Sequence, residues 1–338
     1  MGLSPGKLKR MNALSNNGII EAAAMDQRGS LRKALATARG VDPKDIGGEM
    51  LAEFKTAVAR VLTPYASAIL LDPEYGLAAA KARSRTAGLL LAYENSGYDN
   101  TRPGRLPDLL DTVSVKRIAE DFQADAVKVL IYYTPFEDAR INDVKHAFVE
   151  RIGAECETYE IPFFLEFVGY DASGGDEHGF EYAKKKPEIV TLSMEEFSKP
   201  QYRIDVLKVE IPVNTKFVEG SAACQGRPAY SRKEALECFH RAASAASKPF
   251  IYLSAGVGNQ QFVESLHMVA EAGSDFSGVL CGRATWQDGM PIYAREGLQA
   301  LERWLEDQGV KNIRAVNEAA KAAQPWYRKM GMGRPAAA

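Results

Sequence analysis

Eight short β-rich runs recur along this chain, at residues 18–27, 67–73, 88–94, 126–133, 162–170, 206–213, 249–255 and 278–283. Several are almost continuously apolar, among them Ala68-Ile69-Leu70-Leu71 and Phe250-Ile251-Tyr252-Leu253. A strand apolar on both sides has to be covered on both sides, the condition of a parallel strand in an α/β protein. Between the runs lie amphipathic stretches at 48–62, 115–122, 138–159, 231–246 and 259–272, and two more, 288–307 and 310–323, follow the last run. Leu51, Phe54, Val58, Val61 and Leu62 keep helical spacing in the first of them. Ser231 and Glu234 make a capping box for the fourth, and Gly273 is placed to end the fifth.

Strand alternating with helix eight times predicts a (β/α)8 TIM barrel, an α/β fold in one domain over residues 1–330 with additional C-terminal helices. Residues 331–338 are expected to form a loose tail. A doubly wound open sheet is the rival architecture. It would call for a G-x-G-x-x-G after the first strand or a P-loop, and neither motif occurs.

Charge and cysteine content narrow the function classes. Forty-two basic residues face 44 acidic ones without a long block of either sign, which offers nothing to a nucleic acid or an acidic membrane. No run approaches the ~20 apolar residues of a membrane span, and the opening residues lack a hydrophobic signal core. Cys156, Cys224, Cys238 and Cys281 show no paired spacing and read as reduced thiols of a cytoplasmic protein.

Charged residues inside the apolar runs carry the chemistry. Lys128 sits in Ala126-Val127-Lys128-Val129-Leu130-Ile131, Glu166 in Phe163-Phe164-Leu165-Glu166-Phe167-Val168, and Lys208 in Val206-Leu207-Lys208-Val209-Glu210. Asp26 ends the first run. Desolvating an ionised group is costly, so such residues are paired, neutralised or functional. A lysine of pKa ~10.4 is neutral about once per thousand molecules at neutral pH, and a drop of ~3 units costs about 4 kcal/mol. Burial and a neighbouring ammonium together can supply that drop and produce an amine nucleophile. The plainer reading is an ion pair between Lys208 and Glu210 on one strand face. In a barrel, residues at the C-terminal strand ends converge, so Asp26, Lys128, Glu166 and Lys208 form a usable acid, base and nucleophile set. Glu166, strung among phenylalanines, is expected to have a raised pKa.

Two further loops fit an anion. The seventh run leads into Ser254-Ala255-Gly256-Val257-Gly258 and the eighth into Gly282-Arg283. Glycine admits close backbone approach, serine donates, and arginine adds fixed charge. Tight βα turns would look similar. His146, His178, His240 and His267 are too scattered for a metal motif, and His178, in the 173–178 loop, is not expected in the site. Tyr75, Tyr93, Tyr133 and Tyr170, near strand ends, read as hydroxyl donors or as packing at the barrel mouth.

Several segments are similar to one known family. Met25-Asp26-Gln27-Arg28-Gly29, Leu71-Asp72-Pro73-Glu74-Tyr75-Gly76, Tyr93-Glu94-Asn95-Ser96-Gly97-Tyr98-Asp99, Asp205-Val206-Leu207-Lys208-Val209-Glu210, Pro212-Val213-Asn214, Tyr252-Leu253-Ser254-Ala255-Gly256-Val257 and the stretch 278–286 resemble the tagatose 1,6-diphosphate aldolases. These are class I, metal-independent enzymes of tagatose 6-phosphate breakdown, a route of lactose catabolism. The match runs from Gly18 to the last helix and is weakest in the first dozen residues, in the expected loop 172–186 and in the tail.

The resemblance implies cleavage of D-tagatose 1,6-bisphosphate to dihydroxyacetone phosphate and D-glyceraldehyde 3-phosphate, without a cofactor. It implies Lys208 as the Schiff-base lysine, Glu166 as general acid and base, and Asp26 and Lys128 as their partners. Gln27 would line the pocket, and Ser254, Gly256, Gly282 and Arg283 would cradle the C1 phosphate. Arg28 is the candidate for the distal phosphate, and a homo-oligomer is the family expectation. Fructose 1,6-bisphosphate or a sulfo-sugar phosphate would use the same lysine, and a sugar-phosphate-binding regulator would keep the pocket without turnover.

Overall fold

The computed structural model describes residues 2–99, 101–224 and 226–335. In chain order the elements are α1 (Pro5–Ala13), β1 (Ile20–Met25), α2 (Gly29–Arg39), α3 (Gly48–Leu62), β2 (Ala68–Leu71), α4 (Leu77–Ala82), β3 (Gly88–Ala92), α5 (Val115–Glu120), β4 (Ala126–Tyr132), α6 (Ala139–Thr158) and β5 (Phe163–Val168). There follow α7 (Phe180–Phe197), β6 (Val206–Glu210), α8 (Arg232–Ala245), β7 (Phe250–Leu253), α9 (Asn259–Glu271), β8 (Gly278–Cys281), α10 (Arg283–Trp286), α11 (Gly289–Glu296), α12 (Leu298–Trp304), α13 (Val310–Ala319) and α14 (Trp326–Lys329). The strands close into a barrel in the order β1 to β8, every neighbouring pair parallel and β8 returning to β1. All eight strands coincide with the β-rich runs of the sequence, and the fold is the (β/α)8 barrel.

Side-chain alternation splits the core in two. Ala23, Met25, Ile69, Leu71, Leu91, Val127, Val129, Leu165, Phe167, Leu207 and Val209 point outward against the helices. Ile20, Ala22, Ala24, Ala68, Leu70, Leu90, Ala92, Ala126, Phe164, Val206, Ile251 and Leu280 fill the barrel's lower interior. Met11 of α1, Leu14 just after it and Trp326 of α14 join this inner cluster and close its floor. Lys7 of α1 reaches Asp205 at 2.7 Å, and the same oxygen accepts the Phe163 N–H at 2.8 Å, so the floor has one buried ion pair tied into the strands.

Two local expectations change. The stretch 288–307 is two helices, because Gly297 adopts φ +82 and turns the chain between α11 and α12. The loop expected over 172–186 ends early, at Gly179, where α7 begins with Pro187 inside it. Pro187 has no N–H to donate four residues back, and the Tyr230 hydroxyl donates to the Ala183 carbonyl at 3.1 Å instead. In the tail, Arg334 donates to Asn17 at 2.9 Å and the Met332 N–H to Tyr327 at 2.9 Å. Residues 336–338 of that expected tail lie outside the described residues.

Candidate active site

The inward phase of each strand leads directly to the site. Counting by twos from the floor, Ala22 and Ala24 are followed by Asp26, Leu90 and Ala92 by Glu94, Ala126 by Lys128, Phe164 by Glu166, and Val206 by Lys208. A period of two makes this next layer face the axis. It lies at the C-terminal strand ends and forms the base of a cavity of about 440 Å³.

The layer is one ion-pair network. Lys128 Nζ lies 2.8 Å from Asp26 Oδ2, 2.6 Å from Glu94 Oε1 and 2.8 Å from Glu166 Oε2. Lys208 Nζ donates to the same Glu166 oxygen at 2.7 Å, and the two residues stand opposite each other in the β5–β6 register. One carboxylate oxygen therefore bridges two lysines. All five side chains are at least nine-tenths buried.

The electrostatics follow from that packing. Burial alone would lower the pKa of Lys128, yet the surrounding Asp26, Glu166 and Glu94 raise it well above the usual lysine value. Asp26 is held far below the usual carboxylate range, since Lys128 and Lys208 outweigh the burial that opposes them. Glu166 departs from expectation. Burial does push it upward, but Lys128 and Lys208 together overcome that push and its pKa is lowered. Phe163, Leu165 and Phe167, its neighbours in sequence, face outward into the helix layer, so they do not set its surroundings. Nor does Lys208 pair with Glu210: that carboxylate accepts the Gly169 N–H at 2.8 Å and lies 3.0 Å from Lys186.

Behind the β1 end, Lys55 of α3 contacts Asp72 and donates to the Met25 carbonyl at 3.0 Å, both side chains being fully enclosed. Asp72 also accepts the Glu74 and Tyr75 N–H groups at 3.1 and 2.8 Å. This arrangement fixes the backbone on which Asp26 stands. Arg28 lines the cavity but is committed elsewhere, to Glu74 at 2.6 Å and the Glu94 carbonyl at 2.7 Å. Its guanidinium joins the β1, β2 and β3 loops instead of standing free for a phosphate. Gln27 lines the cavity as expected.

Across the barrel, Ser254 and Arg283 contribute to the wall. Gly256 adopts φ +81, and a Cβ there would come within 2.7 Å of the Arg283 guanidinium. Glycine is thus what lets the arginine lie over the β7 loop. A Cβ on Gly282 would meet the Ala24 carbonyl at 2.7 Å, where β8 approaches β1. Among the described residues Arg283 has no carboxylate within salt-bridge distance, which leaves it available to an anion.

Some cavity residues were missed by sequence reasoning. Glu94, Tyr132, Tyr182, Lys186 and Glu210 all line it, and so does His178, which was not expected there. None of Tyr75, Tyr93, Tyr133 and Tyr170 does: the Tyr133 hydroxyl meets His146 at 3.1 Å and that of Tyr170 meets Glu137 at 2.7 Å, outside the cavity. Glu94 carried a usable signal, because it continues the inward phase of Leu90 and Ala92. Lys186 carried none; its position depends on α7 running through Pro187. Among the described residues no group of three or more His, Cys, Asp and Glu side chains is arranged to hold a metal ion.

A family model described as DeoC/LacD family aldolase matches residues 20–288. Tagatose 1,6-diphosphate aldolase 2 of Enterococcus faecalis is 52% identical over 330 residues, covering 97% of this chain and 98% of that one. Tagatose 1,6-diphosphate aldolase of Listeria monocytogenes is 49% identical over 331 residues, covering 97% and 96%. Among solved structures, a Plasmodium falciparum fructose-bisphosphate aldolase aligns with TM-score 0.68 at 11% identity over 95% of this chain and 97% of that one. A Schiff-base-forming fructose-1,6-bisphosphate aldolase aligns with TM-score 0.55 at 14% identity over 93% and 99%. At such identities these last two speak for the fold alone.

Proposed function

The chain belongs to the DeoC/LacD aldolase family, and from that premise we propose that it cleaves D-tagatose 1,6-bisphosphate, the substrate named for its relatives, through a Schiff base on Lys208. The products are dihydroxyacetone phosphate and D-glyceraldehyde 3-phosphate. One observation carries the reading: Lys208 Nζ lies 2.7 Å from a carboxylate oxygen that is itself 2.8 Å from a second, fully enclosed lysine.

The steps follow from this contact. Lys208 passes a proton to Glu166 and becomes an amine, while Lys128, held by its carboxylates, keeps its charge. The amine adds to the C2 carbonyl, giving a carbinolamine. Glu166 returns the proton to the departing hydroxyl, water leaves, and a protonated iminium remains. That cation is an electron sink. Glu166, a carboxylate again, takes the C4 hydroxyl proton as the C3–C4 bond breaks, the aldehyde departs, and the electron pair rests in an enamine. Protonation at C3 and hydrolysis release dihydroxyacetone phosphate and restore Lys208. A low resting pKa suits Glu166 to this cycle: it begins as the base, and it gains acid character once one of its two ammonium neighbours has lost its charge.

In the same reading Asp26 and Lys128 hold the charge balance around Glu166, and Gln27 orients the substrate. Ser254 and Arg283, with the close backbone at Gly256 and Gly282, take the C1 phosphate. Arg28 acts by fixing loops. We place the enzyme in the cytoplasm on its free cysteines. No helix among the described residues is long and apolar enough to cross a membrane. A homo-oligomer belongs to the same proposal. Sedimentation analysis tests it.

The deciding experiment is borohydride reduction in the presence of dihydroxyacetone phosphate, followed by peptide mapping, with product identification from D-tagatose 1,6-bisphosphate in excess chelator. The adduct is expected on Lys208 and both triose phosphates in the mixture. Label on Lys128, or no products under chelation, would overturn the scheme.

A further inference from the structure

Glu94 stands in the catalytic layer, yet the reaction as written gives it no part. Its side chain is 8% exposed, it lines the cavity, and it spends one oxygen on Lys128 at 2.6 Å. An ionised carboxylate offers about four acceptor positions, and Glu94 Oε2 has no hydrogen-bond partner among the described residues. Three more buried atoms of cavity residues share this condition: Asp26 Oδ1 and Gln27 Oε1 beside Glu94, and the Tyr182 hydroxyl of α7. Buried polar atoms are nearly always paired, so three unfilled acceptors on one wall indicate what the wall receives. Being acceptors, two of them on carboxylates, they would repel a phosphate and suit hydroxyl donors. This wall therefore matches the uncharged middle of a sugar phosphate.

The ring order says which part of the sugar. In the closed sequence β1 to β8, β3 stands opposite β7. With the C1 phosphate at the β7 and β8 loops and C2 on Lys208 of β6, the chain beyond C3 extends toward β1, β3 and β4. The C4 hydroxyl gives its proton to Glu166, which leaves the C5 hydroxyl for the β3 side.

We propose that Glu94 reads the substrate, its carboxylate accepting a hydrogen bond from the C5 hydroxyl of the ketose bisphosphate and so favouring polyhydroxylated over deoxy substrates. This rests on the Schiff-base reading above. A site built around such a bond discriminates because the analogue without the hydroxyl leaves a buried acceptor unpaired.

The test compares wild type with Glu94→Gln and Glu94→Asp on D-tagatose 1,6-bisphosphate and on its 5-deoxy counterpart. It adds C3-proton exchange on dihydroxyacetone phosphate, which has no C5. Glu94→Gln is expected to lower kcat/KM on the full substrate by about 10- to 100-fold. On the 5-deoxy substrate the same substitution should cost less than about threefold, and exchange should fall far less than cleavage. Glu94→Asp should recover part of the loss. An equal penalty on both substrates, or an equal loss in exchange, would show that Glu94 acts only by positioning Lys128, and the proposal would fail while the Schiff-base scheme survived. A wild-type protein that forms no adduct on Lys208 would bring down both.

Discussion

Three lysines in this molecule have no surface exposed to solvent and behave in opposite ways. Lys145 of α6, 0% exposed, has the Tyr170 hydroxyl at 2.9 Å and, among the described residues, no carboxylate within salt-bridge distance. Burial pushes its pKa down to about 8. Lys55, between α3 and the strands, has one carboxylate, Asp72, and the Met25 carbonyl, and burial still lowers it. Lys128, inside the barrel mouth, has three carboxylates and is raised well above the ordinary value. Burial opposes the charge in each place; the carboxylates in contact decide whether that is overcome. The barrel mouth thus stores a permanent cation beside the proposed nucleophile, whereas α3 and α6 hold lysines whose positions serve the scaffold.

Four predictions probe that contrast. The largest effect is expected for Lys208→Met, which should lower cleavage by at least about 10⁴-fold, as loss of a nucleophile does, and abolish the borohydride adduct. Its melting temperature should stay within a few degrees of wild type. A trapped adduct in this variant would move the chemistry to Lys128.

Glu166→Gln should lower kcat by about 10²- to 10⁴-fold and retain part of the adduct, because the amine survives without its proton carrier. Turnover at the wild-type rate would remove Glu166 from the mechanism.

Lys55→Met leaves Asp72 enclosed without its cation and should cost about 3–5 kcal/mol of stability, read by urea unfolding. Adding Asp72→Leu should restore part of that, as replacing a buried pair by packed apolar groups often does. Failure of the double variant to recover would show that the Asp72 contacts to the Glu74 and Tyr75 N–H groups matter more than the pair.

The smallest effect is one of pH. A lysine lowered to about 8 in the folded state has given up its proton where the unfolded chain still holds one, so wild-type stability gains as pH rises from 8 toward ~10.4. Lys145→Met lacks that gain, and the stability difference should shift toward wild type over this range. Lys128 works the other way. Its contribution is complete below the unfolded value of ~10.4 and is lost as pH climbs through the higher folded value, so the deficit of Lys128→Met should shrink only on the alkaline side. Parallel curves for the two variants would contradict the opposite signs.

Much of the site was legible because a strand has a period of two. Lys128, Glu166 and Lys208 interrupt apolar runs, and Asp26 continues the phase of Ala22 and Ala24. Glu94 obeyed the same rule at the end of β3 but was passed over, since a charged residue at a strand terminus reads as the start of a loop. Lys186 could not be found this way: Lys184-Lys185-Lys186-Pro187 reads as a loop ending at a proline, and only the Tyr230 hydroxyl bonded to Ala183 shows how the helix tolerates it.

By itself the sequence determined eight buried strands, hence a closed parallel barrel, and which side of each strand a charged residue occupies, because both depend on local alternation and burial. Only the tertiary structure decided the charge states. Glu166 sits among phenylalanines along its strand, yet those at 163 and 167 point away, and the groups that govern it, Lys128 and Lys208, come from β4 and β6. Electrostatic environment is a matter of distance through space, and in a barrel the nearest charges belong to neighbouring strands.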